Sequence, residues 1–493
     1  MSEFIESRIV IVGLAREGTA LARFLAERGA RVTVTDAQPA EALAGNLAAL
    51  ADLPLRLALG GHPLSLLDEA DIVFVSPGVP LEIPFLDEAR RRQLPLSSET
   101  RLFTRLCPAP IAGITGSSGK TTSTALTGQM LEAAGFRTWV GGNIGRPLIG
   151  ELAEIKSGDR VVMELSSFQL EFFGPWATEV RNARTHSDSA LFDRAGWSPS
   201  LAAILNITPN HLDRHPSMEA YIAAKAHILA YQRPGDVALM NYDNQVTYQM
   251  GLALAAAATA GGGPRVLWFS QEQEVAEGAF LRGSELVVRL DGHEDSVCSA
   301  NEVKLMGRHN LANLLAASAL AGAAGAPASA MRQVATTFSG VEHRLELVRE
   351  VGGVRWYNDS IATTPERTVA AMNAFSGPIV LLAGGRDKHL PWGEMATLTW
   401  RKVRHLILFG EAAGLIENAM QTAQPRRGSE PEHKVCQIHH AGTLERAVQI
   451  AARVARSGDV VLLSPGGTSF DAYRDFAARG EEFRQLVTRL SEL

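Results

Sequence analysis

The run Gly113-Ile114-Thr115-Gly116-Ser117-Ser118-Gly119-Lys120-Thr121-Thr122 narrows what this chain can fold into. Before it, Pro110 to Ile114 reads as a strand. After it, Thr121 to Ala134 reads as a helix stopped by Gly135. A strand, a glycine turn and a helix N-terminus make a phosphate cradle. Backbone N–H groups point inward, the helix dipole favours an anion, Lys120 adds a point charge and Thr121 offers a hydroxyl to Mg²⁺. Gly116, Ser117, Ser118, Gly119, Lys120, Thr121 and Thr122 are the candidate phosphate contacts. The strict phosphate-loop pattern has a glycine where Ile114 stands, and this chain has glycines at 113 and 116 instead. A plain β–α turn that binds nothing is the competing reading. Gly-Lys-Thr-Thr at a helix start weighs against it, and a nucleoside triphosphate is the expected ligand.

The flanking sequence alternates strand and helix throughout, which predicts an all-α/β chain of three domains in series. Residues 1–108 open with the strand Arg8 to Val12, a helix Thr19 to Arg28 and the strand Arg31 to Asp36, a Rossmann-like β–α–β start. A third strand, Asp71 to Ser76, runs into Ser76-Pro77-Gly78. The glycines do not spell G-x-G-x-x-G, so a nicotinamide cofactor is only weakly suggested. Asp36 fits either a ribose or uridine contact or the start of a turn. Residues 109–340 form the central phosphate-loop domain, with strands Arg160 to Leu165 and Leu201 to Ile207 and a small β excursion around 266–290. Residues 341–493 form a Rossmann-like C-terminal domain. There Asp359-Ser360 is read as capping a helix, and the run Ser464 to Asp471 as opening the last one.

Composition bounds the partners. The net charge of −6 argues against a general nucleic-acid binder, so anionic ligands must meet local cations. No apolar stretch reaches membrane-spanning length and the start, MSEFIESRIVIVG, lacks a signal-peptide pattern. The three cysteines are far apart and read as reduced thiols. A cytoplasmic monomer acting on small molecules is expected.

Two further residues follow buried-type strands near the cradle. Glu164 ends one strand and His211 follows another, and with Thr121 and the phosphates they are candidate Mg²⁺ ligands. Lys225 lies on a helix from Ser217 to Tyr231, where by itself it reads as an ordinary solvated lysine.

GITGSSGKTTST, GGNIG, ELSSFQLE, LNITPNHLDRH, YIAAK, GRHNLANLLAA, EHRLE, NDSIATT and LLSPGGTSFDAY occur in the order and spacing of the Mur ligases, and the resemblance spans nearly the whole chain. GGNIG with ELSSFQLE, and SPGGTSFD, resemble most the branch that adds D-glutamate to UDP-N-acetylmuramoyl-L-alanine. The resemblance implies ATP-dependent amide synthesis through an acyl phosphate, in the assembly of peptidoglycan precursors, with ATP and two Mg²⁺ ions. It implies Lys120, Glu164, His211 and Lys225 as catalytic and metal-site residues, with Lys225 carbamylated. Asn310, Asn313, Arg344 and Asp359 match the adenosine-phosphate side. Arg16, Asp36, Ser76, Pro77, Gly78 and Asn143 match the uridine-diphospho-sugar site. Thr363, Lys388, Ser469 and Phe476 match the glutamate group, although Phe476 equally fits core packing. A hinge near Gly340 is expected to close the domains on their ligands.

Four rivals stand beside this reading: a sister ligase for another amino acid, L-glutamate included; a folylpolyglutamate synthase-like enzyme; a non-enzymatic nucleotide switch; and a dehydrogenase using the first domain, against which the absent G-x-G-x-x-G counts. The Rossmann-like start with Ser-Pro-Gly favours the uridine-nucleotide ligases. A switch would not need Glu164, His211, Lys225 and a third domain carrying Lys388. The sequence departs from the family in two places. Ile361 stands where the family carries lysine, and Arg367, or failing that Arg386, is the expected substitute cation. The stretch 173–200 is about twenty residues longer than expected and is read as a surface insertion, packed through Trp176, Phe192 and Trp197.

Overall fold

The computed structural model describes residues 4–5, 7–176, 191, 195–209, 215–305, 307–387, 390–424 and 436–490. They fall into two compact units, Met1–Phe338 and Ser339–Leu493. The first unit carries two sheets and the second carries one.

The first sheet holds β1 (Arg8–Val12), β2 (Arg31–Asp36), β3 (Arg56–Leu59), β4 (Ile72–Val75) and β5 (Leu96–Ser97), all parallel, in the order β3-β2-β1-β4-β5. Its central strands β1 and β4 are continuous apolar runs because helices and loops cover both faces. The helix after β1 spans Arg16–Ala26, three residues earlier than its sequence pattern predicts, so Arg16 and Glu17 stand on its first turn. β3 escaped the sequence reading because it is an edge strand whose first two residues are exposed.

The second sheet holds β6 (Ile111–Thr115), β7 (Thr138–Gly142), β8 (Arg160–Glu164), β9 (Leu201–Ile204), β10 (Val237–Asn241), β11 (Arg265–Ser270), β12 (Gly278–Arg282), β13 (Glu285–Leu290) and β14 (His293–Ser299). The order is β14-β13-β12-β11-β10-β9-β6-β8-β7. It is parallel from β7 to β12 and closes with an antiparallel β12-β13-β14 ribbon, the β excursion expected from the alternating runs. The register pairs Ile114 with Glu164 and Thr115 with Ile204. The C-terminal ends of β6, β8 and β9 therefore meet at one point, where open α/β sheets bind ligands.

The third sheet, in the second unit, holds β15 (Glu346–Val351), β16 (Val354–Asn358), β17 (Ile379–Gly384), β18 (Val403–Phe409), β19 (Gln437–Gly442) and β20 (Val460–Gly466). Its order is β15-β16-β20-β17-β18-β19, parallel except for the edge strand β15. Two expectations fail here. Asp359 and Ser360 do not cap a helix: the helix spans Pro365–Asn373 with Thr364 at its N-cap. Proline at the first helical position sets that start, and the Asp359 carboxylate is occupied by the Leu345 N–H and the Ser464 hydroxyl. The last helix is Phe476–Thr488, capped by Asp475 accepting from the Ala478 N–H. Ser464 to Asp471 instead completes β20 and forms the loop beyond it.

Of the long insertion, residues 173–176, 191 and 195–200 are described. Phe173 packs edge-on against Trp197, with ring centroids 5.2 Å apart, and Trp176 lies under the Arg101 guanidinium. Buried Arg101 donates to the carbonyls of Phe172, Gly174 and Ala195, tying both ends of the insertion to the helix Glu99–Leu106. Phe192 lies outside the described residues. No described helix is long and apolar enough to cross a membrane. Cys107, Cys298 and Cys436 are free thiols, as read.

Candidate functional site

The cradle is built by short-range contacts. Gly119, at φ +82°, precedes the helix Lys120–Ala133, and a Cβ there would sit 2.2 Å from the Asn313 side-chain oxygen. Only glycine lets the turn approach the helix Arg308–Ala323 so closely. The loop is held from below by Asn206, just past β9. Its side chain accepts from the Ser118 N–H at 2.9 Å and donates to the Ser118 carbonyl at 3.1 Å. Ser117 bonds the backbone of Thr208 and the Tyr221 hydroxyl.

Two ammonium groups converge on the Gly116 carbonyl. Lys120 Nζ donates to it at 2.9 Å and Lys225 Nζ at 3.0 Å. Lys225 also reaches Thr115 Oγ1 at 3.3 Å and is 1% exposed, which removes the solvated-lysine reading. Burial, and then the neighbouring Lys120 charge, push its pKa down to about 7, with Glu164 opposing. Glu164 is itself buried. One carboxylate oxygen accepts from Thr121 Oγ1 at 2.7 Å and the other from Asn143 Nδ2 at 2.8 Å. Lys120, Thr121, Glu164, Asn143 and Lys225 are thus brought together. Asn313 joins them through Gly119, and its amide donates to Asn310 at 3.2 Å. His211 lies outside the described residues.

The first sheet faces this cluster through Arg16, whose guanidinium donates to the carbonyls of Gly145 and, at 3.4 Å, Asn143. Asp36 accepts from the Leu14 N–H at 2.7 Å and the Gln38 N–H at 2.8 Å, so it organises the two turns at the ends of β1 and β2. Ser76 donates to the Gly13 carbonyl, while Pro77 is half-buried and Gly78 exposed. Beneath them, Gln169 donates to Glu17 and to Thr100, at 3.1 Å each. Glu17 and Glu99 are both buried. Burial pushes both carboxyls well above the usual carboxylate range, and for Glu99 the charge of Glu17 adds to the shift.

In the second unit the predicted residues line the C-terminal ends of β16, β17 and β20. Burial pushes Asp359 up to about 7, against the Ser464 hydrogen bond and the charges of Arg344 and Arg367. Phe476 is 36% exposed, so it is not core packing; Phe483 on the same helix fills that role. Thr363 is half-buried and Ser469 is buried. Arg344 is flanked by His343 and Leu345, both with positive φ, at 61° and 44°. Arg367 donates to the Ile361 carbonyl at 3.2 Å, and no described carboxylate lies within ion-pair distance of it. Arg386 is instead paired bidentately with Glu411 at 2.8 and 2.9 Å, which disfavours it as the substitute cation. Lys388 lies outside the described residues.

Three family models match the chain in order. They are the MurD-like N-terminal domain at residues 7–97, the Mur ligase middle domain at 114–321 and the Mur ligase glutamate ligase domain at 343–467. Among curated proteins, the UDP-N-acetylmuramoylalanine--D-glutamate ligase of Symbiobacterium thermophilum is 42% identical over 489 residues, covering 99% of both chains. The enzyme of the same name from Geotalea uraniireducens is 41% identical, again over 99% of both. The chain belongs to the Mur ligase family, in its MurD branch. Solved Mur ligases share the fold at low identity. MurF from Acinetobacter baumannii aligns with a TM-score of 0.51 at 15% identity, over 98% of this chain and 92% of that one.

Several structural residues of this Mur ligase were not singled out from its sequence. Asn206 was hidden at the end of an apolar run, although a lone amide there is a signal for a loop anchor. Tyr221 and Thr115 offered none. Arg479, discussed below, sits in an unremarkable charged helix.

Proposed function

We propose that this Mur ligase adds D-glutamate to UDP-N-acetylmuramoyl-L-alanine with ATP, in cytoplasmic peptidoglycan precursor synthesis. The domain limits are 1–108 for the uridine-nucleotide domain, 109–340 for the ATP domain and 341–493 for the amino-acid domain. The observation that carries the reading is the convergence of Lys120 and Lys225 on the Gly116 carbonyl, beside the Glu164 carboxylate held by Thr121 and Asn143. Two anions, a carboxylate and the γ-phosphate, must approach one another for an acyl phosphate to form. Local positive charge makes that approach possible. Lys120 supplies it beside the cradle's N–H groups.

The residues also fit hard cations. Glu164 is a buried carboxylate beside the Thr121 hydroxyl, an all-oxygen donor pair suited to Mg²⁺. With His211, and with Lys225 as a carbamate, these residues would hold Mg²⁺, which when bound neutralises phosphate and carboxylate charge. A carbamate forms when the neutral Lys225 amine attacks CO₂ and loses a proton. The product is an anion next to Lys120 where two cations now crowd one carbonyl. Arg16, Asp36, Ser76, Pro77, Gly78 and Asn143 bind the uridine-diphospho-sugar. Asn310, Asn313, Arg344 and Asp359 serve the nucleotide. Thr363, Lys388, Ser469 and Phe476 hold the amino acid, and Arg367 replaces the cation missing at Ile361.

The test is phosphate release with ATP, Mg²⁺, UDP-N-acetylmuramoyl-L-alanine and a panel of D- and L-amino acids. D-glutamate alone should support turnover. Release with another amino acid would assign a sister activity, and release independent of any amino acid would favour a nucleotide switch.

A further inference from the structure

Among the described residues of the second unit the most deeply buried cation is Arg479, with no measurable exposure. It lies on the first turn of the helix Phe476–Thr488. Its Nε donates to the Ser360 hydroxyl at 3.0 Å and its Nη2 to the Ser360 carbonyl at 2.9 Å. Nη1 and Nη2 both donate to the Gly467 carbonyl at 3.2 Å. No described carboxylate lies within ion-pair distance; Asp471 is felt only through space. Burial accordingly pushes the guanidinium down to about 10. A buried charge without a paired anion is a poor stabilising device, and an apolar side chain of similar volume often does better. Stability alone therefore does not account for this guanidinium.

Its position does. Ser360 begins the loop after β16 that leads to Thr363, and Gly467 begins the loop after β20 that leads to Ser469. At one point the two loops are already joined, by the Gly466 N–H donating to the Ala362 carbonyl at 2.9 Å. Beyond it, Gly466, at φ +75°, and Gly467 form a glycine pair about which the loop would pivot. The planar fork of Arg479 removes that pivot. It grips both loops at once, which a lysine, with one rotating head, does not reproduce. The same helix secures the neighbouring loop. Ser360 Oγ also donates to the Phe476 carbonyl at 2.8 Å, and a Cβ on Gly480 would sit 2.2 Å from His343. Finally, Thr468 pairs with Arg386 across the end of β17, so whatever fixes Gly467 also fixes that third loop.

We propose that Arg479 is a positioning residue for the incoming amino acid, locking the Ser360–Thr363 loop to the Gly467–Ser469 loop so that both present their side chains to one ligand. The inference rests on the reading of Thr363 and Ser469 as amino-acid contacts.

The test compares Arg479→Lys, Ser360→Ala and Ser469→Ala in steady-state kinetics with each substrate varied, alongside thermal melting. Arg479→Lys should raise KM for D-glutamate about tenfold or more, the worth of a lost charged hydrogen bond. KM for the uridine-nucleotide substrate and the melting temperature should stay near wild type. Ser360→Ala, which removes one contact and buries no new charge, should move the same KM by about threefold. It decides the matter if Arg479→Lys fails to fold. Wild-type KM for D-glutamate in either variant overturns the proposal. So does a uniform change in all substrates that tracks a lower melting temperature. If Ser469→Ala raises KM for D-glutamate while Arg479→Lys does not, the inference alone fails. If neither does, the amino-acid reading falls with it.

Discussion

The phosphate cradle and the loops after β16, β17 and β20 both hold polar groups rigid at strand ends, by opposite routes. In the cradle one contiguous segment supplies the turn, the cation and the helix N-terminus. Asn206, from the end of a neighbouring strand, braces it. In the second unit no segment is sufficient. Ser360, Arg386 and Gly467 come from three strand ends more than a hundred residues apart in all; Arg479 from a helix joins Ser360 to Gly467, and the adjacent Thr468 pairs with Arg386. A contiguous site concentrates its chemistry in a few side chains. A distributed one depends on residues that touch no ligand.

The largest expected effect tests the first half of that contrast. Lys120→Ala should lower turnover by on the order of 10²-fold or more while leaving the melting temperature unchanged, because its ammonium serves charge neutralisation rather than packing. Near-normal turnover would dissolve the distinction. Lys225→Ala should be comparably impaired, but a short carboxylic acid added to the assay should restore part of the activity by standing in for the lost carbamate. Failure of rescue, with an unmodified mass for Lys225 in the native protein, returns this residue to a purely cationic role. The third effect is smaller and belongs to the distributed site. Arg367→Ala should lower turnover by several-fold, as expected for an exposed cation in high dielectric, and should affect ATP affinity less. Ile361→Lys in that background should recover part of the loss. Wild-type kinetics for Arg367→Ala would mean that the site works with one cation fewer.

The same contrast explains what could be read from the sequence. β1 and β2 were placed to the residue because their apolar or alternating runs are bounded by turn residues. The cradle was readable because its chemistry and its geometry share one stretch. Lys225 was readable only through family resemblance. Its helix buries Tyr221, Ala224 and Lys225 together, and nothing in the local pattern tells that face from the solvent face. The helix after Asn358 was started too early because Asp and Ser are good N-caps in isolation. A long-range partner, Ser464, claims the carboxylate instead. Arg479 was unreadable for the same reason: its partners are 119 and 12 residues away.

The paired acids Glu17 and Glu99 carry a consequence for how the first unit exchanges protons with its medium. Their carboxyls are held above the usual range in the folded state, so between the ordinary carboxylate pKa and neutrality the folded chain binds more protons than the unfolded one. The stability they contribute is complete below the unfolded pKa of about 4.5 and is lost as pH rises towards 8. Refolding near pH 6 therefore draws protons out of the buffer. The unfolding enthalpy should differ between a buffer with a large heat of ionisation and one with a small heat. Glu99→Gln should shrink that difference and flatten the fall in stability between pH 5 and pH 8. An unchanged buffer dependence in Glu99→Gln would show that the protons are taken up elsewhere.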